Sequence, residues 1–297
     1  MQIIEEEAIE NFNVLYLTQN NSDTDRSYFS QLEAKAGNAF YLHVPQKRPD
    51  FLNHLIAIRQ LRHYWNPTNY ARIYLASVDS PVFRYVIKKN PQASLFSFDD
   101  GTANITPGSL YYNLEKYRKA NFYSRLLGLP TGQQVKARLR QHYSIYPGFD
   151  NFIEQKKISY ISLFERVSPS ARSENVRHAT FFIGQPFHEY LSARHVTALR
   201  NWISTQSIDF YVMHPREKCP LLENIPLLDK AGLLAEDAIF RAAADRRPRI
   251  ISAYSTVLFN ISHHNAEKVY LSLGDDDIER KRLALISRTG SMVVDIA

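Results

Sequence analysis

Three short segments of this chain place proton-moving or anion-holding side chains directly after an apolar, strand-like run. The first is Phe98-Asp99-Asp100-Gly101-Thr102-Ala103-Asn104, which follows SLFSF. Paired carboxylates ahead of a glycine suit hydroxyl recognition, metal binding or proton transfer. The same residues also spell an Asp-Gly turn, in which either acid simply caps the next segment. The second is Tyr211-Val212-Met213-His214-Pro215-Arg216. His214 ends an apolar run, Pro215 blocks its continuation, and Arg216 follows at once. An imidazole can donate a proton near neutral pH, and a guanidinium can hold a phosphate or pair with a carboxylate. The bland reading is a structural histidine; the strand-end position beside Pro-Arg favours function. The third is Ser252-Ala253-Tyr254-Ser255-Thr256, between RIIS and another apolar stretch. Its hydroxyls and backbone N–H groups suit an anion, or plain capping of a helix.

Other constellations carry less. Gly274-Asp275-Asp276-Asp277 contains a D-x-D spelling, but Ile278-Glu279-Arg280 follows, and a capped helix start explains it better. His263-His264 lacks a third ligand at helical spacing and reads as surface. Cys219 is the single cysteine, so intrachain disulfides and cysteine-built metal centres are excluded, and with no evident base beside it a catalytic thiol is not expected. No P-loop and no G-x-S-x-G occurs. No metal site and no cofactor is expected.

The elements that must position these segments follow the βαβ pattern, short apolar or alternating runs separated by helical stretches. Strands are expected at Asn13–Thr18, Ala39–Val44, Arg72–Ala76 and Ser94–Phe98, with helices over Phe51–Tyr64 and Pro81–Lys89. From Ser109 to Tyr160 the strand signal fades, and Gln133–Tyr143 reads as helix. Ser168–Asn175 (SPSARSEN) has the composition of a linker. Strands resume at Thr180–Ile183, Ile208–Met213, Arg249–Ser252 and Lys268–Leu273. Helices are expected near Ala193–Gln206, Leu233–Ala244 and Asp275–Ser287. The expected fold is therefore α/β, with two Rossmann-like domains facing each other across a cleft. Residues 1–170 form the first, with a helical insert at about 110–160, and residues 171–297 the second.

The 297 residues suit two domains. Apolar residues at 44% and charged ones at 22% exclude a disordered chain. No apolar run approaches the ~18–20 residues of a membrane-spanning helix. The acidic start, with Glu5, Glu6, Glu7 and Glu10, does not read as a signal peptide, and the cytoplasm is the expected compartment. A net charge of +6 favours anionic partners without choosing among them. The basic residues are dispersed and no nucleic-acid motif occurs, so nucleic acid is not an expected partner.

With these segments in place, the chain resembles glycosyltransferase family 52, the bacterial lipooligosaccharide sialyltransferases. RIYLASVDSPVF and SLFSFDDGTANI look like that family's strand–helix–strand ending in F-D-D-G-T-G-N. FFIGQPFHE resembles its L-G-x-P-x-x-E element, YVMHPRE its H-P-R, LLAEDAIF its I-E-D, and SAYSTVLF its F-S-G/S-x-x-L. Each is short; five in the right order are specific. The resemblance implies a GT-B fold and inverting, metal-independent transfer of sialic acid from CMP-sialic acid to a terminal galactose of lipooligosaccharide. It implies His214 as general acid toward the departing phosphate, with Ser255 and Thr256 cradling that phosphate. Glu236 would accept ribose hydroxyls, Gly184 and Pro186 would shape the cleft loop, and Arg216 would brace the site electrostatically. Asp99, Asp100 and Gly101 would serve the acceptor side. A homodimer and peripheral contact with the inner membrane are compatible with the resemblance.

Two departures from the family pattern matter. Where the pattern has its general base, an Asp right after the Pro of L-G-x-P, this chain has Phe187, followed by His188 and Glu189. Glu189 is favoured for the role, with His188 and Asp99 or Asp100 as alternatives. Met1-Gln2-Ile3-Ile4 aligns with the helix after the family's first strand, so that strand is expected to be absent, with poor solubility or pairing with another chain as the consequence. The rival readings are a transferase using another nucleotide sugar and a degenerate member that binds nucleotide or glycan without turnover.

Overall fold

The computed structural model describes residues 2–45, 50–114, 122, 124–162 and 177–296. They fall into two compact units, Met1–Ser162 and Leu163–Ala297. The expected linker, Ser168–Asn175, lies outside the described residues.

In chain order the first unit contains α1 (Gln2–Glu6), β1 (Asn13–Thr18), α2 (Asp23–Glu33), β2 (Asn38–His43), α3 (Asp50–Tyr64), β3 (Arg72–Leu75), α4 (Pro81–Lys89), β4 (Ser94–Phe98), α5 (Gly132–Arg138), β5 (Leu139–Ser144) and β6 (Ile158–Tyr160). Its strands are all parallel, in a two-stranded sheet β1-β2 and a four-stranded sheet β3-β4-β5-β6. Both sheets contribute to one core: Leu42, Ile73, Leu75 and Leu95 are buried together with Leu61 of α3 and Val82 of α4. Among the described residues no strand pairs with the outer edges of β1 and β3.

One expectation in this unit is corrected. The helix read over Gln133–Tyr143 stops at Arg138, and Leu139–Ser144 is instead a strand in the middle of the sheet. The stretch expected as a helical insert, about 110–160, thus supplies two strands. Leu139 already has extended backbone (φ −61°, ψ 127°). The buried side of β5 carries His142 and Ser144, polar residues that a hydrophobicity pattern assigns to solvent. Their burial is tolerated because Ser97 on β4 and Asp99 just after it satisfy them.

The second unit contains β7 (His178–Ile183), α6 (Ala193–Ser204), β8 (Phe210–Val212), α7 (Ala235–Ala243), β9 (Arg247–Ser252), α8 (Val257–Asn260), β10 (Glu267–Ser272), α9 (Asp277–Ile286) and β11 (Met292–Asp295). The strand order is β8-β7-β9-β10-β11, all parallel. β7 and β9 sit inside the sheet, and their apolar residues Ala179, Phe181, Phe182, Ile183, Ile250 and Ile251 are all buried, as expected where helices cover a parallel sheet on both faces. Helix α6 shows the matching stripe, with Val196, Leu199 and Ile203 buried at one-turn spacing and Ser192 capping its start through His195 N–H at 3.3 Å. Asp276 caps α9 by accepting from Glu279 N–H at 2.7 Å, so the acidic run is a helix start, as its setting implied. No helix among the described residues is long and apolar enough to cross a membrane.

Candidate active site

The strand order of the second unit locates its site. The chain moves outward from β7 in one direction to β8 and in the other to β9, so the order reverses between β7 and β9. In open parallel sheets ligands bind beyond the carboxyl ends of strands at such a reversal. β7 leads into Gly184-Gln185-Pro186, β9 into Ala253-Tyr254-Ser255, and β8 into Met213-His214. Three of the segments singled out by sequence therefore emerge at one end of one sheet.

The loop after β8 is held from beneath. Glu217 Oε1 accepts from the Tyr211 hydroxyl at 2.5 Å, and its Oε2 accepts from His214 N–H at 3.1 Å. The Tyr211 oxygen in turn accepts from Leu221 N–H at 3.1 Å, and Lys230 Nζ donates to Met213 O at 3.1 Å. Arg216 N–H donates to His214 Nδ1 at 3.1 Å. That bond requires Nδ1 to be an acceptor, so the ring proton sits on Nε2. Partial burial, with the charges of Arg216 and Lys230, lowers the His214 pKa, against a smaller opposing pull from Glu189. The free site thus holds a neutral imidazole that donates from Nε2. Burial likewise raises the Glu217 pKa and lowers that of Lys230.

Gly184 fits this arrangement for a steric reason. A Cβ there would overlap Glu217 Oε2 and the Tyr211 ring. Gly184→Ala should therefore displace the Glu217 support, costing about 1–3 kcal/mol of stability as overpacking does. The measurement is thermal melting alongside turnover; an unchanged melting point would show that the loop yields freely.

Across the site, Glu189 Oε2 pairs with Arg216 Nη2 at 3.2 Å, both side chains about half exposed. His188 lies in the same 3-10 turn, Phe187–Glu189, and acts electrostatically on Glu217. Phe187 is 1% exposed and packs in the core on Phe182. Its position cannot present a side chain to substrate, whereas Glu189 reaches solvent beside Arg216.

The turn after β9 divides its work. Ser255 is buried and its Oγ accepts from Val257 N–H at 3.3 Å, while Thr256 is exposed. Ser255 shapes the turn and Thr256 is the hydroxyl that reaches solvent. Glu236, at the start of α7, is 6% exposed and its Oε1 accepts from Asn260 Nδ2 at 2.7 Å. It is a buried residue with one carboxylate oxygen already engaged. Lys268 of β10 donates to Leu258 O at 2.8 Å and Ile261 O at 2.9 Å, closing the end of α8 from below. Burial brings its pKa down from 10.5 to about 8. The unfolded chain keeps this proton to higher pH than the folded one, so this residue makes stability rise from about pH 8 toward pH 10, by on the order of 2 kcal/mol. Denaturant titrations at pH 8 and pH 10 should show the native protein gaining that much stability relative to Lys268→Met over the interval.

In the first unit the acidic pair splits. Asp99 is buried and fully engaged: Oδ1 accepts from Asn104 Nδ2 at 2.6 Å and faces His142 Nε2 at 3.0 Å. Its Oδ2 accepts from Ser144 Oγ at 2.7 Å and Ile145 N–H at 2.8 Å. Ser97 Oγ meets His142 Nδ1 at 2.9 Å, which completes a buried chain across β4 and β5. Asp99 is thereby a structural residue that ties these strand ends together. Asp100 is exposed, yet the protein packed around its carboxyl raises its pKa and Asp79 adds to the rise. Gly101 beside it has φ 81°, a conformation glycine adopts without strain. Sequence reading missed Asp79, Glu217, Lys230 and His142. Glu217 stands inside the quoted YVMHPRE and Asp79 inside the quoted RIYLASVDSPVF, so both were legible as polar residues just past a strand; Lys230 and His142 gave no local signal.

Comparisons with known proteins agree with this architecture. A CMP-N-acetylneuraminate:beta-galactoside alpha-2,3-sialyltransferase of Pasteurella multocida is 26% identical over 276 residues, 90% of this chain and 84% of that protein. An N-acetyllactosaminide alpha-2,3-sialyltransferase of Neisseria meningitidis is 25% identical over 215 residues, 70% of this chain and 57% of that protein. Among solved structures, an alpha/beta-galactoside alpha-2,3-sialyltransferase of Photobacterium phosphoreum superposes with a TM-score of 0.54 at 11% identity, covering 95% of this chain and 98% of that one. A UDP-GlcNAc 2-epimerase of Methanocaldococcus jannaschii superposes at 0.55 with 12% identity, covering 99% and 83%. The fold is thus the two-unit α/β arrangement of the GT-B type. The sequence profile of glycosyltransferase family 52 matches residues 9–273, and the chain belongs to that family of glycosyltransferases.

Proposed function

We propose that the protein transfers sialic acid from CMP-sialic acid to a terminal galactose of lipooligosaccharide, with inversion and without a metal. The observation that carries the reading is the His214 loop. Its ring is turned by Arg216 N–H so that Nε2–H is the available donor, beside the chain reversal where a nucleotide sits in this kind of sheet. The sialyltransferases named above, similar along most of the chain, support the choice of donor sugar.

In this reading an acceptor hydroxyl attacks the anomeric carbon of sialic acid, and the bond to the CMP phosphate breaks through an oxocarbenium-like transition state. Negative charge grows on the departing phosphate. His214 Nε2–H donates to it, with the exposed Thr256 hydroxyl alongside. This refines the expected general acid: a neutral, positioned imidazole stabilises the leaving group by hydrogen bonding, and its pKa climbs as phosphate charge develops next to it. Glu236 orients toward ribose through the oxygen not taken by Asn260. Glu189 accepts the acceptor's proton and Arg216 holds that carboxylate in place. Asp100 is the alternative base from the first unit.

The test is release of CMP from CMP-sialic acid with and without lactose. Acceptor-stimulated release is expected. Folded protein that releases none, yet turns over another nucleotide sugar, would replace the donor; turnover of none would favour a binding protein. A homodimer and peripheral membrane contact belong to the same proposal, and sizing chromatography and vesicle sedimentation test them.

A further inference from the structure

Helix α9 lies past the residues that the family profile matches, which end at 273. Its buried Glu279 accepts from the Tyr270 hydroxyl at 2.6 Å, which locks the first turn of the helix to β10. One turn on, Arg282 approaches Glu279 Oε2 at 3.5 Å, longer than a hydrogen bond. The guanidinium stands over the Tyr254 ring, 5.0 Å from its centroid, with the side chain 31% exposed. Tyr254 is itself held edge-on against Phe259 and immediately precedes Ser255 of the turn after β9. Arg282 is therefore stacked and aimed next to that turn. An unrestrained surface arginine would have neither constraint.

On the other side stands Tyr190, 43% exposed, its ring tilted against Phe187 at 6.1 Å. Its phenol feels Arg282, Arg216, Glu217 and Glu189 at once, and burial pushes its pKa up to about 12, so it stays a hydroxyl donor. Arg282 of α9 and Arg216 of the loop after β8 both act electrostatically on this half-exposed phenol. Arg216 is matched by Glu189 within hydrogen-bonding distance. The more distant contact of Arg282 with Glu279 leaves its planar fork able to take a second carboxylate.

A nucleotide-linked sialic acid differs from a neutral nucleotide sugar in bearing a carboxylate on the reacting carbon, directly beside the phosphate. We propose that Arg282, oriented by Tyr254 and Glu279 and joined by the Tyr190 hydroxyl, binds that sugar carboxylate and selects a carboxylate-bearing donor. The inference rests on the donor reading above. It adds a selectivity element outside the family's matched region.

Calorimetric titration with two probes, CMP and CMP-sialic acid, in the absence of acceptor separates the possibilities. Arg282→Gln should weaken CMP-sialic acid at least tenfold while changing CMP less than threefold, and Arg282→Lys should fall between the two. Tyr190→Phe should weaken CMP-sialic acid by a smaller factor, again sparing CMP. Melting curves matching the native protein show that the variants are folded. Equal loss for both probes in Arg282→Gln would make Arg282 a phosphate or packing residue and overturn the assignment. No loss for either would overturn it as well. Native protein that binds neither probe would instead defeat the donor reading, and this inference with it.

Discussion

Replacing His214 with alanine should lower turnover of CMP-sialic acid by about 10²–10⁴-fold, the range for losing a positioned proton donor, while CMP binding changes little. The geometry sharpens this expectation. With Nδ1 engaged by Arg216 N–H, only Nε2–H is left to donate to a leaving phosphate in the proposed reaction. His214→Gln, whose amide N–H can reach a similar place, should therefore recover part of what alanine loses, whereas an acid that must give up its proton outright would not be rescued. The pH profile gives a second reading. Burial and the Arg216 and Lys230 charges hold the free His214 pKa below its ordinary value of 6.5, so the neutral ring is the majority form at that pH. A role as neutral donor predicts no fall of kcat/KM from this residue between pH 6.5 and pH 8. A rate that declines steadily with rising pH across that window, and loses the decline in His214→Ala, would show that the imidazolium is the reactive form.

The second large effect separates two neighbouring acids. Asp99→Ala removes the acceptor for Asn104, Ser144, Ile145 N–H and His142 in a buried place, leaving donors unpaired. A loss of roughly 3–5 kcal/mol is expected, since removing one member of a buried polar network strands the others. At the size of this unit that is a fall of roughly 10 °C in melting temperature. Asp100→Asn should leave melting nearly unchanged, because the residue as a whole is exposed and the mutation keeps its size. If Asp100 is the base for the acceptor hydroxyl, that variant loses turnover and the native enzyme loses activity on the acid side at a higher pH than an ordinary carboxylate would give, its pKa being raised by burial and Asp79. Full activity in Asp100→Asn, with loss in Glu189→Gln, assigns the base to Glu189. The melting curves of Asp99→Ala and Asp100→Asn read the structural role independently of turnover.

These two cases mark the border of what sequence reading reached. Eight strands were legible as apolar runs, and most agree with the structure to within one or two residues, because a parallel strand covered on both faces must be apolar along its length. The βαβ alternation then placed the functional segments at strand ends. The D-x-D spelling was rightly set aside, since Asp276 caps α9. His214, Arg216, Glu189 and Gly184 lie in one unit, linked through Glu217 and the Arg216–Glu189 pair.

What the sequence by itself determined is the set of strand ends, and with them the α/β class and the segments that carry chemistry, because burial of apolar runs is a local property with a readable period. The tertiary structure alone decided which of those residues are available. β5 was mistaken for helix since His142 and Ser144 are buried by bonding to Asp99, 43 and 45 residues away, and no hydrophobic period records such a bond. The same bonds withdraw Asp99 from chemistry and leave Asp100 at the surface. Gly184 is required by the side chain of Glu217, and Arg282 is tied to the turn after β9 through a ring contact with Tyr254. Each of these depends on distances between residues remote in the chain, which only the packed fold sets.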